Sequence, residues 1–330
     1  MALDDYLASE IVLDCADGIV SRREALRRLM LLGVTAPAAA ALLAACGSDD
    51  GAQGSAPTTS SGAAATSSAP QTTTAPSVAG TTAGTAPTAT QSVASATVAA
   101  NGAGEEIRFP GPQGDLIGVV ATAAEPKGAV LVIHENRGLT PHIRSIPPRL
   151  AADGYTALAI DLLSEEGGTA SMASDGDATA ALGRASSERM IADLRAGLDE
   201  LQKRAPGVKL AVMGFCFGGG MTWQLLGAGE PRLSAAVPFY GPTPADADFS
   251  GSPNAAVLGI YAELDSRVNA SQDTAKKALE AAGLVHEIRV FPGVDHAFFN
   301  DTGARYNAEQ AAAAYSAVLD WYGKYLGPAS

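Results

Sequence analysis

From residue 104 onward, short apolar runs alternate with longer segments whose apolar residues recur at helical spacing. Gly118–Ala123, Gly128–Ile133, Thr156–Asp161, Val208–Met213, Ala235–Tyr240, Ala255–Tyr261 and Glu287–Phe291 read as strands. The continuously apolar ones suit burial on both faces, as in a parallel sheet. Between them, Ile143–Asp153, Ser187–Arg204, Phe217–Leu226 and Ala308–Leu326 read as helices. Such alternation predicts an α/β fold with a mostly parallel, doubly wound sheet flanked by helices, in a single catalytic domain over 104–330. Leu163–Gly183, rich in Gly, Ser, Ala and acids, reads as a mobile loop near the functional edge or as a plain surface excursion.

Upstream of residue 104 the pattern changes. Residues 47–103 hold no Lys, Arg or aromatic residue and are dominated by Ser, Thr, Ala, Pro and Gly. A segment of that composition buries too little apolar surface to offset chain entropy, so a disordered tether is expected. Before it stands Ser21-Arg22-Arg23-Glu24-Ala25-Leu26, followed by a mostly apolar stretch from Leu29 to Ala45. Paired arginines ahead of a short apolar run resemble a twin-arginine export signal. Leu43-Ala44-Ala45-Cys46 resembles a bacterial lipobox, in which cleavage leaves Cys46 as a lipidated first residue. Residues 1–46 therefore read as a lipoprotein signal peptide. The expected product is an exported domain, lipid-anchored on the outer face of the bacterial cytoplasmic membrane.

Charge and cysteine usage narrow the partners. A net charge of −13 disfavours nucleic acid and anionic membrane surfaces as partners, which leaves the lipid anchor as the expected membrane contact. Of three cysteines, Cys15 would leave with the signal and Cys46 would become a thioether. Cys216 then remains as the one thiol of a domain without disulfides, expected to be a monomer.

That thiol sits in Gly214-Phe215-Cys216-Phe217-Gly218-Gly219, between a strand and a helix. A nucleophile presented on such a turn takes a strained backbone conformation, and flanking glycines admit it. A buried free cysteine is otherwise an ordinary small core residue, so the reading depends on partners. Asp265 and His296 follow, each just past a strand, in the chain order nucleophile, acid, histidine. An isolated thiol with a pKa of roughly 8.5 is mostly protonated at neutral pH, and a histidine base raises its reactive fraction. A carboxylate on the other ring nitrogen fixes the tautomer. His296 is thus the candidate base and Asp265 the candidate orienter, with Glu263 and Asp295 as its alternatives. Among the other histidines, His286 reads as structural, and His134 and His142 stay open. Acyl transfer also needs two amide donors for the oxyanion. Phe217 N–H, after the nucleophile, is one candidate; Asn136 N–H, in the loop after the strand Gly128–Ile133, is the other.

Four separated motifs carry a resemblance to the dienelactone hydrolase (carboxymethylenebutenolidase) family of the α/β-hydrolase superfamily. They are Val132-Ile133-His134-Glu135-Asn136-Arg137-Gly138, the elbow, Leu264-Asp265, and Gly293-Val294-Asp295-His296-Ala297-Phe298-Phe299. The resemblance implies a triad of Cys216, Asp265 and His296, and a role for Glu135 in the protonation of the nucleophile. It implies hydrolysis of esters or lactones through a thioester acyl-enzyme, with no metal or organic cofactor and a small-molecule substrate. The family holds a substrate carboxylate with an arginine four residues beyond the histidine. Here that position is Asn300, leaving Arg137 and Arg305 as candidates for an anionic group. Alternative activities are a general carboxylesterase or thioesterase, or a surface-anchored binding lipoprotein without turnover.

Overall fold

The segment Gly128–Ile133 has no polar side chain and no exposed residue, because it is the third strand (β3) of an eight-stranded sheet and is covered on both faces. The same logic makes β4 (Tyr155–Asp161), β5 (Leu210–Phe215) and β7 (Ala256–Ala262) buried throughout. In this computed structural model the described residues are 3–44 and 104–327. The remaining strands are β1 (Glu105–Pro110), β2 (Asp115–Ala121), β6 (Leu233–Phe239) and β8 (His286–Phe291). The helices are α1 (Leu3–Ala16), α2 (Arg22–Leu31), α3 (Ala36–Ala44), α4 (Pro141–Ala152), α5 (Asp175–Arg184), α6 (Ser187–Arg204), α7 (Phe217–Gly227), α8 (Ser266–Asn269), α9 (Gln272–Ala281) and α10 (Ala308–Tyr325).

Strand order is β1-β2-β4-β3-β5-β6-β7-β8. The β1–β2 and β2–β4 pairs are antiparallel, and every pair from β4 to β8 is parallel. After β4 the chain crosses β3 and continues on its far side, so the winding reverses there. Loops leaving neighbouring strands at such a switch point diverge and open a crevice beyond the carboxyl ends. Ile133 and Gly214 are in register on β3 and β5, which sets the loop after β3 beside the elbow after β5. Helix α4 packs on β2, β3 and β4; α6 lies on β3 to β5; α7 lies on β5 and β6; and α10 on β6 and β7.

One segment departs from the loop expected of it. Leu163–Gly183 is structured: 3-10 turns at Ser164–Glu166 and Thr169–Ser171 lead into α5. Ser174 caps that helix by accepting from the Asp177 amide, and Ala178 to Leu182 are buried, which the Gly/Ser/acid composition concealed. The segment Leu3–Ala44 forms three helices whose apolar side chains Ile11, Ala25, Leu29, Ala39 and Leu43 make a small cluster of their own. Tyr6 and Leu7 of α1 belong instead to the main core. No helix among the described residues is long and apolar enough to cross a membrane. Cys46 and the expected tether lie outside the described residues.

Candidate active site

Cys216 stands between β5 and α7 with φ 57° and ψ −117°, a backbone conformation that L-residues adopt only under constraint. Its amide donates to Phe239 O at 3.1 Å and its carbonyl accepts from Gly220 at 3.1 Å, so both sides of the turn are tied down. The flanking glycines are required by close approach. A Cβ on Gly214 would overlap the Gly218 carbonyl, and one on Gly218 would overlap the Ile133 carbonyl. Phe217 is the first residue of α7, where backbone amides lack helical acceptors.

His296 and Asp265 converge on this turn from the loops after β8 and β7. His296 Nδ1 lies 2.6 Å from Asp265 Oδ2, and both side chains are buried. The other Asp265 oxygen accepts from the Val268 amide at 3.1 Å, which fixes the carboxylate at the start of α8. The alternatives face elsewhere: Glu263 accepts from the Gly293 amide at 2.7 Å, and Asp295 accepts from the His296 amide at 2.6 Å. The Tyr240 ring packs edge-on against His296, with centroids 5.0 Å apart.

The two open histidines have structural partners. His134 bridges Glu135 O, at 2.6 Å, and the Leu162 amide, at 3.1 Å, so Nδ1 donates and Nε2 accepts. His142 Nδ1 meets Asp301 Oδ1 at 2.7 Å, with the ring edge-on to Phe215 and Phe299. His286 lies on β8 with Nδ1 2.9 Å from Leu284 O.

The loop after β3 lines the same cavity as the thiol, through Glu135, Asn136 and Arg137. Glu135 Oε2 accepts from Asn300 Nδ2 at 2.6 Å, whereas its Oε1 is buried without a hydrogen bond. The asparagine at the position where an arginine was expected is therefore committed to Glu135. Arg137 and Arg305 do meet at the site, and both are occupied: Asp14 Oδ2 lies 3.2 Å from Arg137 and Asp14 Oδ1 lies 3.1 Å from Arg305.

Asp14 belongs to a group of side chains that the sequence reading did not connect with the site. Tyr6, Glu10 and Asp14 recur every four residues on one face of α1, and all three are buried. The Tyr6 hydroxyl donates to Cys216 Sγ at 3.3 Å. Glu10 Oε2 lies 3.3 Å from His296 Nε2, while Glu10 Oε1 pairs with Arg267. That guanidinium also lies over the Tyr6 ring, 4.6 Å from its centroid. The four-residue spacing was the available signal, but it runs through polar residues and so does not look like a buried face.

Electrostatics follow from this crowding. Burial disfavours the charged imidazole, but Glu10 and Asp265 outweigh it and raise the His296 pKa well above its ordinary value. For Asp265 burial pushes upward, and the His296 and Arg267 charges hold it below the usual carboxylate range. Burial and then Glu10 raise the Cys216 thiol, against the lowering pull of His296. Burial likewise raises Glu135. One carboxylate oxygen of Glu10, Cys216 Sγ and a His296 nitrogen lie within 4.8 Å of one another, a donor set of the kind zinc accepts.

Residues 116–326 match the family model described as the dienelactone hydrolase family. A provisionally named carboxymethylenebutenolidase of Escherichia coli O157:H7 is 34% identical over 217 residues, 62% of this chain and 80% of the relative. A protein of the same provisional name from Saccharolobus solfataricus is 31% identical over 250 residues, 65% of this chain and 96% of the relative. Among solved structures, a provisionally named dienelactone hydrolase of Klebsiella pneumoniae superposes with a TM-score of 0.60 at 29% identity, covering 67% of this chain and 98% of that one.

Proposed function

Because the chain belongs to the dienelactone hydrolase family, we propose that it is a hydrolase of esters or lactones whose nucleophile is Cys216. In this reading the His296 Nε2 side takes the thiol proton as Sγ attacks the acyl carbon. The Phe217 and Asn136 amides receive the oxyanion, and the carbonyl re-forms as the alkoxide leaves with the proton from His296. Water, deprotonated by the same nitrogen, then attacks the thioester, and the acid product departs from Sγ. Asp265 holds the imidazole by its Nδ1–H and stabilises the imidazolium. Glu135 adds negative charge near the thiol and restrains the thiolate.

The observation that carries this reading is the His296–Asp265 contact of 2.6 Å beside a thiol on a strained elbow. A merely structural cysteine needs neither the strain nor the pair. Hydrolysis of p-nitrophenyl acetate and of small lactones by the chain cut before Cys46, as wild type and as Cys216→Ala, tests it, with intact-mass detection of the acyl-enzyme. An acyl adduct on wild type alone is expected. Equal hydrolysis by both chains would sink the assignment.

The N-terminus supports a second part of the proposal. Arg22 and Arg23 open α2 behind the Ser21 cap, and α3 carries the apolar Leu42 and Leu43 up to the lipobox. Signal cleavage leaves Cys46 lipidated and residues 47–103 as the tether of an exported enzyme. Metabolic labelling with an alkynyl fatty acid, in wild type and Cys46→Ala, tests this: label retained in the variant contradicts it.

A further inference from the structure

The face of α1 that enters the site touches the proposed nucleophile, its base and both candidate arginines. Tyr6 is on the thiol, Glu10 faces the imidazole nitrogen that must move protons, and Asp14 spans Arg137 and Arg305. Arg305 continues to Asp17 at 2.5 Å, and Arg267 is taken by Glu10. An acyl carbon must approach the attacking atom to about 3–3.5 Å. The Tyr6 oxygen already stands 3.3 Å from Sγ.

The space left over is small. The cavity that Cys216 and His296 share with Glu10 and Asp14 holds about 160 Å³. Pockets for small molecules run to roughly 300–1,000 Å³. The helix therefore fills volume that a substrate needs, and its carboxylates occupy the arginines around the opening.

The filling is also held as a unit. The shared cluster of Ile11, Ala25, Leu29, Ala39 and Leu43 ties α1 to α2 and α3. Helix α2 is fastened to the start of α5 by Arg27, which donates to Ser174 Oγ at 2.9 Å. Arg137 reaches from the loop after β3 to Asp175 of α5 as well, at 3.5 Å. All of the α1–α3 residues in these contacts lie upstream of Cys46, so one cut before Cys46 severs the whole unit from the domain it covers.

We infer that residues 3–44 are an intrasteric inhibitor, with α1 seated in the active site as a plug that keeps the uncleaved chain inactive until that segment is removed. The inference rests on the cysteine-hydrolase reading and adds its control. Before cleavage the linker keeps the plug at an effective concentration on the order of mM, so dissociated helix rebinds. After cleavage that advantage is lost, and the plug dilutes away. Electrostatics act in the same direction, because Glu10 opposes thiolate formation beside it.

The plug makes a prediction opposite to that of a permanent wall of the site. In the full-length chain, Tyr6→Ala combined with Glu10→Gln is expected to raise both ester turnover and iodoacetamide labelling of Cys216 by at least about tenfold. Labelling is read by mass spectrometry on the Cys216 peptide. A second measurement leaves every described residue intact: a protease site placed within residues 47–103 is cut, and the sample is diluted. Labelling and turnover should then climb with dilution. Rates that are unchanged or lower in the double variant, and independent of dilution in the cut chain, overturn the inference. The two readings fail separately. Faster labelling without hydrolysis leaves the plug standing and removes the hydrolase assignment, whereas equal, Cys216-dependent hydrolysis by open and closed chains removes the plug alone.

Discussion

Asn300 Nδ2 donates to Glu135 Oε2 at 2.6 Å, joining the segment after His296 to the loop after β3. The pair places a half-satisfied carboxyl group beside the thiol, with its second oxygen buried and unbonded. A guanidinium at residue 300 would have neutralised Glu135 or been neutralised by it. The amide instead orients Glu135 without cancelling its charge.

Glu135→Gln should therefore lower the pH at which Cys216 becomes alkylated, because one of the charges raising the thiol is removed. The profile is best measured in the Tyr6→Ala background, where the thiol is uncovered. A midpoint identical to that of the same background with Glu135 retained would show that the carboxyl does not reach the thiol electrostatically.

The cluster also sets how stability varies with pH. The folded-state pKa of His296 is raised, so the stability it contributes is complete below its unfolded value of about 6.5 and is lost as pH rises through the folded value. The raised Cys216 thiol acts in the same sense above roughly 8.5. Asp265, held low, contributes above its unfolded value of about 3.9 and loses that contribution as pH falls through its folded value. The Tm of wild type should thus decline between about pH 6.5 and 9, and decline less in Glu10→Gln, which removes a charge that raises His296. Equal slopes in differential scanning calorimetry would remove Glu10 from this coupling.

The parts of the molecule legible in the sequence are those where one residue type satisfies one local demand. Gly128–Ile133 is apolar at every position because both faces are buried, and its strand ends coincide with the pattern. The elbow glycines were legible because the backbone there leaves no room for a Cβ. β1 was missed, since its exposed, charged positions Glu105, Glu106 and Arg108 break any apolar run. α5 was missed because its burial rests on small side chains such as Ala178 and Ala181. The contact of Tyr6 with Cys216 spans 210 positions, and the polar face of α1 becomes intelligible only beside the arginines it meets.

Gly218→Ala tests a close backbone approach beside the elbow. The added Cβ would meet the carbonyls of Ile133 and His134, backbone atoms of β3 and its loop that have no rotamer by which to withdraw. Overpacking of this kind costs about 1–3 kcal/mol. Urea unfolding should show a loss in that range or above it, and the same shift should displace the elbow and reduce Cys216-dependent hydrolysis. A variant of undiminished stability would mean that α7 can slide away from β3.

Asp265→Asn separates the orienting role from the bulk of the site. The amide is nearly isosteric and retains an oxygen that can accept from Val268, so α8 keeps its cap. It cannot hold His296 by charge, and if its NH₂ group faces Nδ1 it donates there, forcing the tautomer with the proton on the nitrogen that faces the nucleophile. In a Ser-His-Asp protease the corresponding change lowers kcat by about 10⁴. The more acidic thiol depends less on general-base assistance, so a loss on the order of 10²–10³ is expected here. The variant should retain cooperative unfolding and lose most of the contribution by which Asp265 raises His296. Turnover of an activated ester by the Tyr6→Ala/Glu10→Gln chain, with and without Asp265→Asn, measures it; a loss below threefold would reassign Asp265 from the reaction to the packing of α8.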